Sequence, residues 1–189
     1  MPTVRHWRFS HKLPSESFEE FVTRPDQSIA VWPIDPANAE HIDLVADRMR
    51  ATLVEVMGQS GEDLYSVPWL QDRVRWHLQP DACDGQVFLA HRGPNEIVGH
   101  VIVRVEAHSP DVPLGLISTI YVDPMFRRRG VARLLLDAGE AWLLSRQSGI
   151  LATDTSAANV ALIQLFESRG YAITFRSPEK LMVRLSRTA

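Results

Sequence analysis

The sequence predicts an α/β (α+β) protein with a mixed central sheet of about seven strands flanked by four helices. Short apolar, β-branched runs alternate with stretches whose apolar residues recur at helical spacing. A turn rich in Gly, Pro and Asn joins two of the strands as an antiparallel hairpin. A helix connects two later strands, and strands joined in this way run parallel. The predicted order is β-α-α-β-β-β-α-β-α-β-β, with one βαβ crossover in the second half.

The first part of the domain supplies one strand and two helices. Residues 29–32 are apolar and partly β-branched, which predicts a short strand. Asp35 precedes a proline and is the predicted N-cap of the first helix, because its carboxylate can accept from free N–H groups. Gly58 follows the last apolar residue of this helical pattern and ends the helix. A second helix is predicted at residues 68–78, closed by Pro80.

The second part supplies six strands and two helices. The strands are recognised by apolar, β-branched runs, and the helices by apolar residues three and four positions apart. The predicted strands are residues 86–90, 97–105, 116–122, 149–153, 171–175 and 180–185, and the predicted helices are residues 131–142 and 159–168.

The composition is that of an ordinary globular protein. The 189 residues are 45% hydrophobic and 23% charged, with a net charge of −3. This balance argues against disorder, and the net charge argues against a surface built to hold duplex nucleic acid. A single cysteine, Cys83, excludes an intramolecular disulfide. No apolar run approaches the roughly 18 residues of a membrane helix, so we expect a cytoplasmic protein that binds neither membranes nor nucleic acid.

The most informative stretch connects a predicted strand to the next helix. It carries Gly130 and four arginines without an acid among them: Arg127, Arg128, Arg129 and Arg133. Free N–H groups at a helix N-terminus bind anions, and glycine lets the backbone approach a ligand closely. Arginines there oppose the helix dipole, so the arrangement costs stability unless an anion compensates. The stretch therefore predicts a pyrophosphate site rather than a solvated basic run.

Two motifs resemble those of the GNAT N-acetyltransferase superfamily. Residues 122–132, Val-Asp-Pro-Met-Phe-Arg-Arg-Arg-Gly-Val-Ala, resemble the family's acetyl-coenzyme A signature, Gln/Arg-x-x-Gly-x-Gly/Ala after a strand ending in Val-x-Pro. Residues 159–171, Asn-Val-Ala-Leu-Ile-Gln-Leu-Phe-Glu-Ser-Arg-Gly-Tyr, resemble the family's later motif. The two stand in the family's order and at its usual separation. The resemblance covers residues 29–189 and implies a GNAT-like fold with acetyl-coenzyme A as the acyl donor.

The resemblance implies a role for each matched position. Backbone amides of residues 128–132 would hold the pyrophosphate, and backbone groups of Ile120 and Val122 would pair with the pantetheine arm like an added strand. Asn159 would hydrogen-bond near the pantetheine, and Phe166 would lie at the thiol end. The implied cofactor-binding residues are Ile120, Tyr121, Val122, Arg127, Arg128, Arg129, Gly130, Val131, Ala132, Asn159 and Phe166.

The acid and base that many family members carry are absent from their usual places. Phe166 stands where a tyrosine hydroxyl often protonates the leaving thiolate, and phenylalanine has no proton to donate. Leu116 and Ser118 occupy the positions where the general base is usual. The remaining catalytic candidates are Ser118, which could orient a water, and Glu106, which could face the acceptor. Their alternative roles are a polar side chain within the sheet and a residue of a solvated loop.

We therefore expect an enzyme that moves acetyl from acetyl-coenzyme A directly to an amine on a small molecule or peptide. The alternative is a coenzyme A-binding sensor, or a degenerate non-catalytic GNAT module, because the usual acid and base are missing. The seven histidines show no metal-ligand spacing, so no metal is expected. The family usually builds its acceptor pocket where Glu62, Asp63 and Tyr65 stand here, but the sequence does not name the amine.

The chain divides near residue 28. Residues 29–189 form the predicted GNAT-like domain, and residues 1–28 form an N-terminal extension outside the resemblance. The extension carries four large aromatic residues, each of which would gain roughly 1.5–3 kcal/mol on burial. We expect it to cover the first helix or to serve a homodimer, rather than to take part in the chemistry.

Overall fold

A seven-stranded mixed sheet carries helices on both faces, which confirms the predicted fold class. The computed structural model describes residues 29–109 and 112–189, so the expected extension at residues 1–28 lies outside the described residues. The strands are β1 (Ile29–Pro33), β2 (Gly85–Arg92), β3 (Glu96–Ser109), β4 (Val112–Val122), β5 (Ile150–Ser156), β6 (Ala172–Ser177) and β7 (Met182–Thr188). The helices are α1 (Ala39–Met57), α2 (Gln59–Leu64), α3 (Val67–His77), α4 (Val131–Ser145) and α5 (Val160–Glu167).

The strands lie in the order β1-β2-β3-β4-β5-β7-β6. Neighbouring strands are antiparallel except β4 and β5, which α4 connects as the predicted crossover. The single parallel pair, β4 and β5, therefore lies inside the sheet. The arginine-rich stretch follows the last residue of β4.

Side chains of the central strands alternate between two cores, as the period of a strand requires. Val101 and Val103 of β3 pack on the face covered by α4 and α5, where Phe166 is also buried. Ile102, between them, packs on the opposite face against α1 and α3. This double coverage explains why β3 reads as a continuous apolar run.

The helices differ from prediction in number and in one cap. The residues that the structure describes form five α-helices where four were predicted, because the six-residue α2 is almost wholly polar. Asp35 is not the N-cap of α1: its carboxylate accepts from the Ala37 N–H at 2.9 Å, in the turn before the helix. Asn38 is the cap, and its Oδ1 accepts from the His41 N–H at 3.1 Å. None of the helices in the described part of the chain is long and apolar enough to cross a membrane.

Each of the seven described strands extends beyond at least one of its predicted ends, and β4 and β7 are two examples. β4 begins at Val112 rather than at residue 116, because Pro113 and Gly115 hide the strand pattern. A Cβ at Gly115 would lie 2.8 Å from Leu151 Cδ2, so glycine is needed here for packing against β5. β7 likewise runs on to Thr188, where it still pairs with β5.

A buried ion network ties α4 to the C-terminal part of the chain. Glu140, 6% exposed, accepts from Arg169 Nε at 3.1 Å, the Tyr171 hydroxyl at 3.0 Å and Arg187 Nη2 at 3.0 Å. Burial and the charge of Glu140 raise the pKa of Tyr171, so the hydroxyl stays protonated and keeps donating. The network fixes α4, and with it the loop that precedes the helix.

Candidate functional site

A cleft opens where β4 and β5 separate. β4 pairs with β3 as far as Val122, but its parallel ladder with β5 ends at Ile117 and Thr153. Thr153 Oγ1 donates to the Ile117 carbonyl oxygen at 2.9 Å and closes the ladder. β5 continues along β7 as far as Ser156. Residues 118–122 therefore form a strand edge that no described strand pairs with, and such an edge can pair with an extended ligand.

This cleft has a volume of about 820 Å³, in the upper part of the range of about 300–1,000 Å³ that small-molecule sites occupy. The end of α1, the free edge of β4, the start of α4 and one face of α5 form its walls. Most of the predicted cofactor-binding residues line it: Ile120, Tyr121, Val122, Arg127, Arg128, Gly130, Val131, Ala132 and Asn159. Arg129 and Phe166 are not among the lining residues.

One end of the cleft is a loop of unpaired backbone donors. Arg128 and Gly130 both have left-handed backbone, with φ of 63° and 85°, and Gly130 is the N-cap of α4. Within the described part of the chain, the N–H groups of residues 128–132 donate to no acceptor. A Cβ at Gly130 would meet no heavy atom within 4 Å, so the space beside this residue is open. Such a concave run of N–H groups suits an anionic oxygen.

Arg127 has a structural partner at the rim of the cleft. Its Nη1 and Nη2 donate to the two carboxylate oxygens of Glu55, both at 2.7 Å, and its Nε donates to the Val122 carbonyl oxygen at 3.0 Å. The hydrogen bonds from Arg127 lower the pKa of Glu55, so the pair stays ionised at neutral pH. Arg127 therefore ties the last turn of α1 to the loop before α4.

The other three arginines of the loop divide into two groups. Arg129 lies over the Phe126 ring, with its guanidinium carbon 5.7 Å from the ring centroid, and does not line the cleft. Arg128 and Arg133 line the cleft and form no ion pair with any acid in the residues described. Their charge therefore adds to the potential of the free N–H groups.

The predicted site residues at α5 lie in different surroundings. Asn159 caps the helix: its Oδ1 accepts from the Leu162 N–H at 3.3 Å, and its Nδ2 donates to Thr155 Oγ1 at 3.3 Å. Phe166 is fully buried, with its ring edge-to-face on Tyr171 at a centroid distance of 4.9 Å. The structure gives no support for a contact between the Phe166 ring and a ligand. Leu162, one turn earlier, lines the cleft instead.

A second cavity, of about 280 Å³, adjoins the cleft on the α1 and α3 side of the sheet. Tyr65, from the region where the acceptor pocket was expected, lines it, whereas Glu62 is bound to Arg50 at 2.8 Å. The residues shared by the two cavities are Thr52, Leu53, Ser118 and Thr119. The other lining residues of the second cavity are Met49, Tyr65, Trp69, Leu70, Arg73, His77, Ile102 and Arg104.

The two catalytic candidates are brought together by Arg104, which the sequence analysis did not single out. Its Nη1 donates to Ser118 Oγ at 2.5 Å, and its Nε donates to Glu106 Oε1 at 2.9 Å. Glu106 is not among the lining residues of either cavity, and its carboxylate accepts from Arg104. Ser118 lies at the junction of the cavities, and because its oxygen accepts from Arg104, its own proton is available to another group.

His77 is a further cavity residue that the sequence analysis missed. It is 2% exposed, its Nδ1 lies 2.7 Å from the Arg73 carbonyl oxygen, and its Nε2 has no partner among the described residues. Because a carbonyl only accepts, Nδ1 carries the proton and Nε2 is a free acceptor. Burial lowers the pKa of His77 to about 4, so the ring is neutral at pH 7. The signal was present: Trp69, Arg73 and His77 recur every four residues, on one helix face.

The Tyr121 ring is held within a stack on the α1 side of the sheet. It lies parallel to the His100 ring at a centroid distance of 5.9 Å, and the Arg48 guanidinium carbon is 5.3 Å from its centroid. His100 is fully buried, and burial lowers its pKa to about 3. The backbone of Tyr121 pairs with His100 of β3, so the backbone groups that face the cleft are those of its neighbours Ile120 and Val122. The Tyr121 ring is thus held by its neighbours.

The two cavities together can hold two ligands end to end. β4 runs from the shared Ser118 to Val122 beside the donor-rich loop, so a ligand anchored at the loop and extended along the edge reaches the junction. A ligand in the second cavity meets it there. In the part of the chain that is described, no group of three His, Cys, Asp or Glu side chains could hold a metal ion. The arrangement suits transfer of a group between two bound molecules.

The model of the Acetyltransferase (GNAT) family matches residues 51–171 of this chain. The matched region begins in α1 and ends after α5, so it contains the donor-rich loop, the free edge of β4 and most of the residues that line the second cavity.

Among curated proteins, the chain is similar to mycothiol acetyltransferase from Thermobispora bispora, with 33% identity over 103 residues. The aligned stretch is 54% of this chain and 35% of the relative. The chain thus spans about a third of the length of the curated relative that it matches.

Several solved structures share the fold. One is a chain of the NatC complex bound to Gag peptide and CoA, with a TM-score of 0.68, 18% identity and coverage of 85% of this chain and 98% of that chain. A GNAT-family acetyltransferase from Streptococcus pneumoniae has a TM-score of 0.62, 18% identity and coverage of 86% and 100%. An aminoglycoside acetyltransferase from an uncultured soil metagenomic sample, in complex with sisomicin, has a TM-score of 0.57, 17% identity and coverage of 75% and 86%.

Proposed function

Because this chain belongs to the acetyltransferase (GNAT) family, we propose that it transfers the acetyl group of acetyl-coenzyme A to an amine. One observation carries the proposal: a single cleft has a loop of unpaired N–H groups at one end and an unpaired strand edge leading away from it. A long ligand with an anionic end and an amide-bearing arm matches both features.

The residues present fit coenzyme A along the whole cleft. The N–H groups of residues 128–132 would hold the pyrophosphate, with Arg128 and Arg133 adding positive charge. The edge of β4 at residues 118–122 would pair with the amides of the pantetheine arm. Asn159 Nδ2 has a second N–H besides the one given to Thr155, and this N–H can donate to the arm.

The chain's contribution to the reaction is mainly positioning. Acetyl-coenzyme A would supply an activated acetyl group: the amine nitrogen would bond to the carbonyl carbon, the carbon–sulfur bond would break, and coenzyme A would leave as a thiolate that takes up a proton from water. The N–H of Ile120 on the free edge of β4 can donate to the carbonyl oxygen as negative charge develops there. Ser118 Oγ, fixed by Arg104, can hold a water that takes the proton of the amine. Holding both reactants at one junction supplies much of the rate.

A second function has a specific observation in its favour. Phe166 is a core residue, and Arg104 engages both Ser118 and Glu106, so none of these supplies a free acid or base. A protein with such a site can bind coenzyme A without turnover, as a sensor or a degenerate family member. A screen of amines for thiol release from acetyl-coenzyme A separates the two functions, because a sensor releases no thiol with any amine.

Two matched glycine variants test the cofactor site. Gly130 and Gly170 both have left-handed backbone, with φ of 85° and 82°, and open space around a Cβ, but Gly170 is not among the residues that line the cleft. Either change to alanine should cost about 1–2 kcal/mol of stability through backbone strain. Gly130→Ala should also weaken calorimetric coenzyme A binding by about tenfold or more, since its methyl group occupies the open space beside the donor-rich loop.

Gly170→Ala should leave the affinity for coenzyme A unchanged. Equal affinities in the two folded variants would contradict the proposed position of the pyrophosphate. If the protein binds coenzyme A but no amine of the screen causes thiol release from acetyl-coenzyme A, the sensor function is favoured over the transferase function.

A further inference from the structure

We propose that the second cavity selects an acceptor that carries a carboxylate beside its amine. This inference rests on the proposed function, because the cavity is the acceptor's place only if the adjoining cleft holds the acyl donor. Three features of the cavity point the same way: an unpaired guanidinium, a buried acceptor and an aromatic wall.

The charge of the cavity is positive. Arg73 and Arg104 line it, and no acidic side chain does. Glu106 neutralises Arg104 through the hydrogen bond from Nε, but Arg73 has no acidic partner within residues 29–109 and 112–189. Its guanidinium carbon lies 4.0 Å from the centroid of the Trp76 ring, which holds the group in place. A half-buried, preorganised guanidinium without a counter-ion is suited to bidentate binding of a carboxylate.

The desolvation of Arg73 supports the same assignment. Burial and the neighbouring charge of Arg104 lower the pKa of Arg73, which means that the cation lies in unfavourable surroundings until an anion arrives. The nearby carboxylate of Glu106 offsets part of this repulsion. A ligand carboxylate next to Arg73 would offset the rest of the repulsion from Arg104 and the cost of desolvating the Arg73 cation.

His77 supplies the complementary polar group. Its Nδ1 is occupied by the Arg73 carbonyl oxygen, and its buried Nε2 is an acceptor without a partner in the described structure. The cavity therefore offers a cationic donor and a neutral acceptor side by side. A molecule with both a carboxylate and an amine N–H satisfies the two groups together.

The aromatic wall and the size of the cavity limit the ligand further. The Tyr65 and Trp69 rings stack at a centroid distance of 4.1 Å and an angle of 12°, and both line the cavity. A volume of about 280 Å³ lies at the low end of small-molecule sites. These features fit a small amino acid-like molecule with an apolar body. A peptide N-terminus carries an amide where this ligand carries its carboxylate.

Matched pairs of amines test the proposal on the full chain. We would compare phenylalanine with phenylalaninamide, and 4-aminobutanoate with 4-aminobutanamide, measuring kcat and KM for thiol release and calorimetric affinity for the protein saturated with coenzyme A. The carboxylate member of at least one pair should have a KM and a Kd about 10- to 100-fold lower than its amide, as expected for one charge-assisted contact.

Variants of α3 assign the effect to Arg73. Arg73→Gln should remove the preference by raising KM for the carboxylate member and leaving that of the amide unchanged, and Arg73→Lys should keep part of it. Arg75→Gln is the control, because Arg75 lies on the same helix, binds Asp72 at 3.1 Å and does not line the cavity. Affinity for coenzyme A should be the same in all of these proteins.

The outcomes separate this inference from the proposed function. Turnover of both members of each pair with equal KM, or a preference for amides and peptides, overturns the carboxylate assignment and leaves the acetyltransferase intact. If no amine causes thiol release, the proposed transferase function is overturned. The calorimetric comparison of carboxylate and amide then still shows whether the second cavity prefers a carboxylate. A carboxylate preference that survives Arg73→Gln also overturns the assignment.

Discussion

The arginines of residues 127–133 share one sequence context but not one environment. Arg127 is bound to Glu55 and Arg129 lies over Phe126, whereas Arg133 points its charge at the cleft. The sequence predicts a cationic cluster, but partners from α1, 72 positions away for Glu55, decide which charges remain for a ligand. Charge counted along the chain therefore overestimates the charge available at the site.

Substitutions of two of these arginines measure how much each charge contributes to coenzyme A binding. Arg133→Gln should weaken coenzyme A binding about fivefold at low salt, since an exposed charge contact contributes about 1 kcal/mol. Arg129→Gln should change it less than twofold, because that side chain lies outside the cleft. The contrast should shrink as salt screens the charges. Equal losses in calorimetry at two salt concentrations would contradict this division of roles.

Backbone conformation was predictable from the sequence, and the direction in which a side chain points was less so. The motif around Gly130 fixes a left-handed turn and a helix start, and both features are found. Phe166 matches the family motif by position, yet the rotation of α5 turns its ring into the core. Arg73 and His77 belong to no motif, and their role depends on α3 lying beside β3 and β4.

At the scale of elements, α2 was the part of the fold least visible in the sequence. Its six residues, Gln59–Leu64, have no apolar stripe, and helices this short owe their stability to packing. The longer elements were predicted in type and order because each has an apolar face of the correct period. α2 forms because Gly61 lets it approach the backbone of α1: a Cβ there would lie 2.1 Å from the Leu53 carbonyl oxygen.

Gly61→Ala should therefore displace α2 from α1. We expect a loss of about 1–3 kcal/mol in urea unfolding, as for other overpacked sites. KM for the acceptor should rise while coenzyme A affinity changes little, because Tyr65 follows α2 directly and lines only the second cavity. Ser60→Ala, an exposed change in the same helix, should alter stability by less than about 0.5 kcal/mol. A Gly61→Ala protein as stable as the control would refute the close contact.

For the molecule as a whole, two buried histidines should link stability to pH. Burial lowers the pKa of His77 to about 4 and that of His100 to about 3, from the ordinary value of 6.5. Below pH 6.5 the unfolded chain binds protons that the folded protein excludes. The free energy of unfolding should therefore fall as the pH decreases from 6.5 to 5, by about 1.4 kcal/mol per pH unit for each histidine.

Urea unfolding at pH 7.5, 6.5, 5.8 and 5 measures this slope. His100→Leu removes one of the two groups and should reduce the slope by about half over that range. A variant with the slope of the parent protein would show that His100 is protonated in the folded state, or that another group controls the acid sensitivity.

Residues 1–28 lie outside the described part of the chain, so the role of that extension in covering α1 or in forming a homodimer stays a prediction. The fold was predictable because patterns along residues 29–189 agree with one another at every level. The separation of β4 from β5 was not, since it depends on where a ladder between distant residues stops.

The meeting of the two cavities at four residues has a consequence for how such a protein can diversify. Most of the residues that line the second cavity lie within residues 49–104, and most of those that line the cleft come later in the chain, with Thr52, Leu53, Ser118 and Thr119 common to both. Substitutions during evolution can therefore change the lining of one cavity while most of the lining of the other is retained. Under the proposed function, a relative that accepts a different amine needs substitutions in α1, α3 and β3. The residues that line the cleft for the acyl donor can stay the same.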